Sequence, residues 1–248
     1  MAAKKTTVRE LQVVRKVRVT PNMLRVSLGG PDIAGFPNGR ESANFKLLIP
    51  ASGEKPITRT YTVRNYRRAA GEVDVDFMLH GDPGPASDWA IGAKPGDAVG
   101  FAGPGSSKLA DMSCDWFIFA GDMSALPAIG ANIERLPEDA LGYAVLEILS
   151  EEDRQPLPFP DGFEVQWLVN PEPTSPNRVL LEAVTTLPWL SGTTYAWIAG
   201  ESTAIRSIRR YFVNERGLDK RHFYASGYWQ IGFTEDKHQL VKRQLKST

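Results

Sequence analysis

The strongest constraint on this chain is a change of rhythm near residue 108. Before it, apolar and β-branched residues fall in short alternating runs: Val8–Val19, Met23–Leu28, Phe45–Ile49, Arg59–Tyr66, Val73–Leu79 and Ala98–Phe101. Pro21-Asn22, Gly29-Gly30-Pro31, Pro37-Asn38-Gly39 and Pro95-Gly96-Asp97 cut the runs apart. A period of two puts successive side chains on opposite faces, so each run reads as a half-buried strand. Six such strands predict a small antiparallel barrel, with one helix around Ala86–Ile91.

Beyond residue 108 apolar strands alternate with helical spacing. Trp116–Ala120, Gly142–Leu149, Glu164–Val169 and Thr194–Ala199 read as strands, and Ala125–Arg135, Asn177–Thr186 and Ala204–Glu215 as helices. That alternation predicts a parallel sheet built from βαβ units. The expected organisation is a β-barrel over residues 1–112 followed by an α/β domain over 113–248. A chain of 248 residues is long enough for both cores.

Composition removes several function classes. Lys plus Arg and Asp plus Glu are equal at 29 each, so no net charge draws the chain to nucleic acid or an anionic membrane. No apolar run reaches the roughly 20 residues that cross a bilayer, and the opening Met-Ala-Ala-Lys-Lys-Thr-Thr lacks a signal-peptide core. Cys114 is the single cysteine, which excludes an internal disulfide and a four-thiolate iron–sulfur centre. His80, His222 and His238 are scattered without ligand spacing, so no metal held by the protein is expected. No Gly-x-Ser-x-Gly nucleophile elbow occurs. The expected state is a cytoplasmic monomer without nucleic-acid or membrane partners.

Two segments carry the chemistry. Arg59-Thr60-Tyr61-Thr62-Val63-Arg64 alternates along a strand, with Tyr61 and Val63 on one face and Thr60, Thr62 and Arg64 on the other. It offers an aromatic plane, hydroxyls and guanidinium groups, which match the ring, ring nitrogen and pyrophosphate of a flavin nucleotide. His80-Gly81-Asp82-Pro83-Gly84-Pro85-Ala86-Ser87 runs through a turn into a helix start, where free backbone N–H groups favour an anion.

This pair resembles the siderophore-interacting proteins, flavin-dependent ferric-siderophore reductases of the ferredoxin-reductase superfamily. The resemblance extends through Phe101-Ala102-Gly103-Pro104, Ala120-Gly121-Asp122-Met123-Ser124-Ala125-Leu126-Pro127-Ala128-Ile129, Trp197-Ile198-Ala199-Gly200-Glu201 and Gly227-Tyr228-Trp229-Gln230-Ile231-Gly232, in the family's order. It departs from the family where Met123 and Ser124 replace a Glu-Thr pair and where Gln230 replaces an arginine.

The resemblance implies FAD as cofactor and NADH or NADPH, or a ferredoxin, as electron source. Tyr61 is expected to stack on the isoalloxazine and Thr62 to approach its N5. Arg59 is expected to neutralise phosphate, Arg64 to contact phosphate or ring, His80 to touch flavin or phosphate, and Gly84, Pro85, Ala86 and Ser87 to hold the pyrophosphate. In the second domain Asp122, Ser124, Ala125 and Glu201 lie at strand ends where α/β sheets bind ligands, and Tyr228 and Trp229 would cover the flavin. Glu151 and Asp153, after the second strand, are expected to favour NADH weakly through the ribose hydroxyls, with Arg154 arguing the reverse. Lys237, Lys242, Arg243 and Lys246, in a tail with no acidic residue from 237 onward, are expected to draw an anionic ferric siderophore. The rival readings are a general flavin or ferredoxin–NAD(P)H reductase and a non-catalytic siderophore carrier.

Overall fold

The computed structural model describes residues 8–51, 53, 55–79 and 84–244. The chain divides into two compact units, 1–109 and 110–248.

The first unit contains one antiparallel sheet of seven strands: β1 (Val8–Thr20), β2 (Met23–Gly29), β3 (Asn44–Ile49), β4 (Ile57–Thr62), β5 (Asn65–Arg67), β6 (Glu72–Met78) and β7 (Ala98–Ala102). Their order is β4-β3-β7-β1-β2-β6-β5. The edge strands β4 and β5 are consecutive in sequence. Only Val63 and Arg64 join them, and a link from Thr62 to Asn65 reaches at most roughly 11 Å. The two edges are therefore close, and the sheet is rolled into a barrel.

The expected single strand Arg59–Tyr66 is corrected here, and six strands become seven. The Val63 N–H donates to the Ala43 carbonyl (2.9 Å), whereas the Arg64 N–H donates to Asp74 (3.0 Å). The chain thus changes partners within one residue, leaving one edge of the sheet for the other. Thr62, Val63 and Arg64 are all buried, so the alternation of faces ends at this crossing. Inside the barrel Leu11, Val26, Leu47, Val75 and Phe77 pack together, and Phe45 stacks on Phe101 at 3.8 Å between ring centroids. Helix α1 (Pro85–Gly92) packs onto this core through Trp89, whose ring lies 5.9 Å from that of Phe77.

The second unit is a parallel sheet of β8 (Trp116–Gly121), β9 (Leu141–Ile148), β10 (Gly162–Val169), β11 (Thr194–Glu201) and β12 (Phe223–Trp229), in the order β10-β9-β8-β11-β12. Helices α2 (Leu126–Ile133), α3 (Val179–Thr186), α4 (Ser202–Asn214) and α5 (Glu235–Gln244) connect or follow the strands. The four expected strands become five. The sequence shows only the Tyr228-Trp229 motif here, because Ala-Ser-Gly interrupts the apolar pattern of Phe223–Trp229. It is an edge strand, partly exposed along its whole length. Ile205, Ile208 and Phe212 of α4 pack with Leu180 and Val184 of α3 against Trp116, Ile118 and Ile198. The strand order reverses between β8 and β11, the position at which doubly wound sheets open a crevice at their carboxyl ends.

Candidate functional site

In the first unit, β4 and the start of α1 converge on Phe77. The Tyr61 ring lies 4.4 Å from it and the Trp89 ring 5.9 Å. Tyr61 is half-buried and Thr62 buried, while Arg59 stays partly exposed with Nη1 donating to the Thr58 carbonyl. Lys46 Nζ donates to the Thr60 hydroxyl across the β3–β4 ladder. Among the described residues no side chain caps α1: Gly84 is its N-cap, Pro85 opens the first turn, and a Cβ built on Gly84 would meet no described atom within 4 Å. The Ala86 and Ser87 amides thus begin a helix that no side chain among the described residues caps.

Two of the expected residues are buried. The Ser87 side chain is buried, with its hydroxyl donating to the Met78 carbonyl at 3.3 Å, so its amide and not its hydroxyl belongs to the helix mouth. Arg64, expected as a phosphate or ring contact, is buried at the barrel crossing. His80 lies outside the described residues.

These groups fit FAD by the chemistry of their donors. Arg59 supplies a guanidinium fork suited to phosphate oxygens, the α1 start supplies amides and a positive dipole end, and Tyr61 supplies a ring.

In the second unit, the carboxyl ends of β8, β11 and β12 are tied together by Asp122. Its carboxylate accepts from the Ser124 amide (2.9 Å) and hydroxyl (2.5 Å), the Glu201 amide (2.8 Å) and the Trp229 indole (2.8 Å). Glu201 in turn caps α4, accepting from the Thr203 (2.6 Å) and Ala204 (2.9 Å) amides. The Ser202 hydroxyl donates to the Trp229 carbonyl at 2.8 Å. Glycines let these loops close. A Cβ on Gly200, whose φ is +146°, would lie 2.5 Å from Asp122 Oδ2, and one on Gly227 would lie 2.1 Å from Ser202 Oγ. Asp122, Ser124, Glu201 and Trp229 are thus brought together, with both carboxylates accepting from protein donors. They position the loops. Ala125 is buried at the start of α2 and Tyr228 is half-buried on β12. Met123, where the family has an acid, is buried, so its lost charge leaves no exposed gap.

Burial raises the pKa of Asp122, against the hydrogen bonds that favour its anion. Glu147 at the end of β9 was missed in the sequence, although a lone acid in the apolar run Tyr143–Ile148 is a readable signal. It is buried, accepts from Asn170 at 2.6 Å, and its pKa is raised first by burial and then by the charges of Asp122 and Glu201. Asp153 is buried as the capping residue of the Ser150–Asp153 turn, and Glu151 pairs with Arg154 at 2.5 Å. The expectation of a ribose-binding acid therefore loses Asp153. Lys237 lies 4.3 Å from the centre of the Phe233 ring, and Lys242 is fixed to Ser226 and Gly227. The Arg243 side chain and Lys246 lie outside the described residues.

A rolled antiparallel sheet followed by a parallel sheet of order 3-2-1-4-5 is a fold shared with ferredoxin–NADP+ reductase. Comparison with known proteins narrows the class. Residues 114–232 match the family described as Siderophore-interacting protein, and residues 12–55 and 50–108 match the Siderophore-interacting FAD-binding domain. The ferric vibriobactin reductase of Vibrio cholerae is 36% identical over 262 residues, covering 96% of each chain. The NADPH-dependent ferric-chelate reductase of Escherichia coli is 29% identical over 242 residues, covering 89% of this chain and 92% of that one. The crystal structure of the siderophore-interacting protein SipS from Aeromonas hydrophila superposes with a TM-score of 0.86 at 34% identity, covering 98% of this chain and 99% of that one. The chain belongs to the siderophore-interacting protein family.

Proposed function

We propose that this protein is an FAD-dependent reductase of ferric siderophores, using a reduced pyridine nucleotide as electron source. The observation that carries the reading is the start of α1, which no side chain among the described residues caps, in the same unit as a strand bearing Arg59, Tyr61 and Thr62. When bound, FAD accepts a hydride and releases electrons singly, the chemistry needed to turn ferric into ferrous iron. Ferric iron arrives as chelated substrate, and its reduction weakens its hold on hard oxygen ligands.

The residues bind and orient. Arg59 and the Ala86 and Ser87 amides neutralise the pyrophosphate, Tyr61 stacks on the ring system, and Thr62 presents its hydroxyl at the ring edge. In the second unit the Asp122–Glu201–Trp229 network holds Tyr228 and Trp229 in fixed positions at the sheet's carboxyl edge, where the nucleotide is received. The cationic end of the chain, with Lys237, Lys242, Arg243 and Lys246, attracts an anionic chelate. The match to the reductase of Vibrio cholerae over nearly the full chain supports catalysis over a carrier role. The protein acts in the cytoplasm, as a monomer, and no helix among the described residues is long and apolar enough to cross a membrane.

Arg59→Ala tests the pyrophosphate assignment. FAD affinity, measured by quenching of flavin fluorescence, should fall by about 1.5–3 kcal/mol, the usual loss of a hydrogen bond to a charged group. Unchanged affinity would show that Arg59 does not meet the phosphates.

A further inference from the structure

Strand β4, which carries Tyr61 and Thr62, ends in an irregular pairing. Beyond the last ladder pair, Asn44 opposite Thr62, two residues face one. The Ser42 N–H donates to the Val63 carbonyl at 2.9 Å, and the Val63 N–H donates to the Ala43 carbonyl at 2.9 Å. That pattern is a β-bulge whose first residue takes a left-handed backbone, a place glycine ordinarily fills. Here it is Ser42, with a φ of +64°, the single non-glycine residue of positive φ among the described residues.

Glycine adopts this backbone without strain, and serine does not. The serine is nonetheless fully buried, and its hydroxyl donates to the Lys108 carbonyl at 2.9 Å. The segment that follows β7 is strapped to the same loop twice more. The Gly105 N–H donates to the Asn44 carbonyl at 3.0 Å, and the Ser107 hydroxyl donates to the Gly39 carbonyl at 2.7 Å. Ser42 therefore holds the end of β4 through its amide and this strap through its hydroxyl.

The consequence falls on Thr62. A bulge bends its strand and re-aims the side chains beside it. This one grips Val63, the residue after Thr62 and the last before the chain changes partner, since the Arg64 N–H already donates to the Asp74 carbonyl at 3.0 Å. Paired with Asn44 and followed by a gripped Val63, Thr62 has one backbone position, and its buried side chain has one direction.

We propose that Ser42 is a positioning residue for flavin reduction: its hydroxyl locks the bulge, and the locked bulge aims Thr62, and Tyr61 beside it, at the flavin ring. The inference rests on the reductase reading, in which Thr62 presents its hydroxyl at the ring edge. It accounts for a strained serine where glycine would relax the backbone. Glycine would form the same bulge and leave it unlocked.

Two variants separate aim from stability. Ser42→Gly and Ser42→Ala both lose the hydroxyl, but alanine keeps the strain and glycine relieves it, so Ser42→Ala should unfold at the lower temperature. In anaerobic stopped-flow on the full-length, FAD-loaded protein at saturating NADH or NADPH, both should bleach the flavin roughly ten-fold more slowly than the natural protein, within the range that a sub-ångström displacement costs. The nucleotide concentration for half-maximal rate should stay unchanged, and the visible circular dichroism of the bound flavin should change alike in both. Should Ser42→Ala fail to fold, Ser42→Gly carries the test. A Ser42→Gly protein with the natural rate and dichroism, or a slowing that tracks lost stability from one variant to the other, would overturn the inference and leave the reductase reading standing. If neither nucleotide reduces the natural protein, the reductase reading fails and the dichroism decides on Ser42. A natural protein that takes up no FAD would overturn both.

Discussion

Glu147 shows how one residue at the carboxyl edge can set a measurable property. Its folded pKa is raised, so the folded state holds a proton that the unfolded chain has already lost. Its contribution is complete below the ordinary carboxylate range and is lost as pH rises through the folded value. Glu147→Gln keeps an acceptor for Asn170 and removes the charge. In urea titrations across pH, the variant should gain stability relative to the natural protein as pH rises out of the acid range and then level off. A pH-independent difference would mean that Glu147 is solvated in the folded state. At this scale the sequence was readable where chemistry is local. Arg59, Tyr61 and the Gly84–Ser87 turn stand beside one another in the chain. Asp122 was not readable as an anchor, because Glu201 and Trp229, which it binds, lie 79 and 107 residues away.

Among the elements, strands β1, β2, β6 and β5 are tied by ion pairs, among whose acids Asp74 and Asp76 are buried. Arg15 and Arg67 both pair with Glu72, Arg67 also pairs with Asp74, and Arg25 pairs with Asp76 at 2.6 Å. The Arg15 hydrogen bond, followed by that from Arg67, lowers the Glu72 pKa from 4.5 to about 2. Because the folded value is depressed, this stability is present above the unfolded pKa and is lost as pH falls through the folded one. Glu72→Gln should flatten the loss of stability between pH 4.5 and about 2, read from thermal unfolding at several pH values. An unchanged slope would make the pairs solvated contacts of little worth, as many surface pairs are. Element type was largely legible, since punctuated alternation and βαβ rhythm are local signals. The break between β4 and β5 was hidden because Val63 and Arg64 fit a strand, and only the change of hydrogen-bond partner ends it. Strand β12 was hidden because an edge strand needs little apolar pattern.

For the whole molecule, the order of the two units and the ordered motifs carried the functional reading, and the long-range network at the β8–β11–β12 edge refined which residues bind and which position. The reductase account is tested most directly by anaerobic stopped-flow spectroscopy on the FAD-loaded protein. Reduced nucleotide should bleach the flavin absorbance, and a ferric siderophore added next should restore it. About two ferrous ions should be trapped per flavin, since a hydride carries two electrons and each iron takes one. A protein that binds no FAD, or a bleached flavin that a ferric siderophore leaves bleached, would contradict the account.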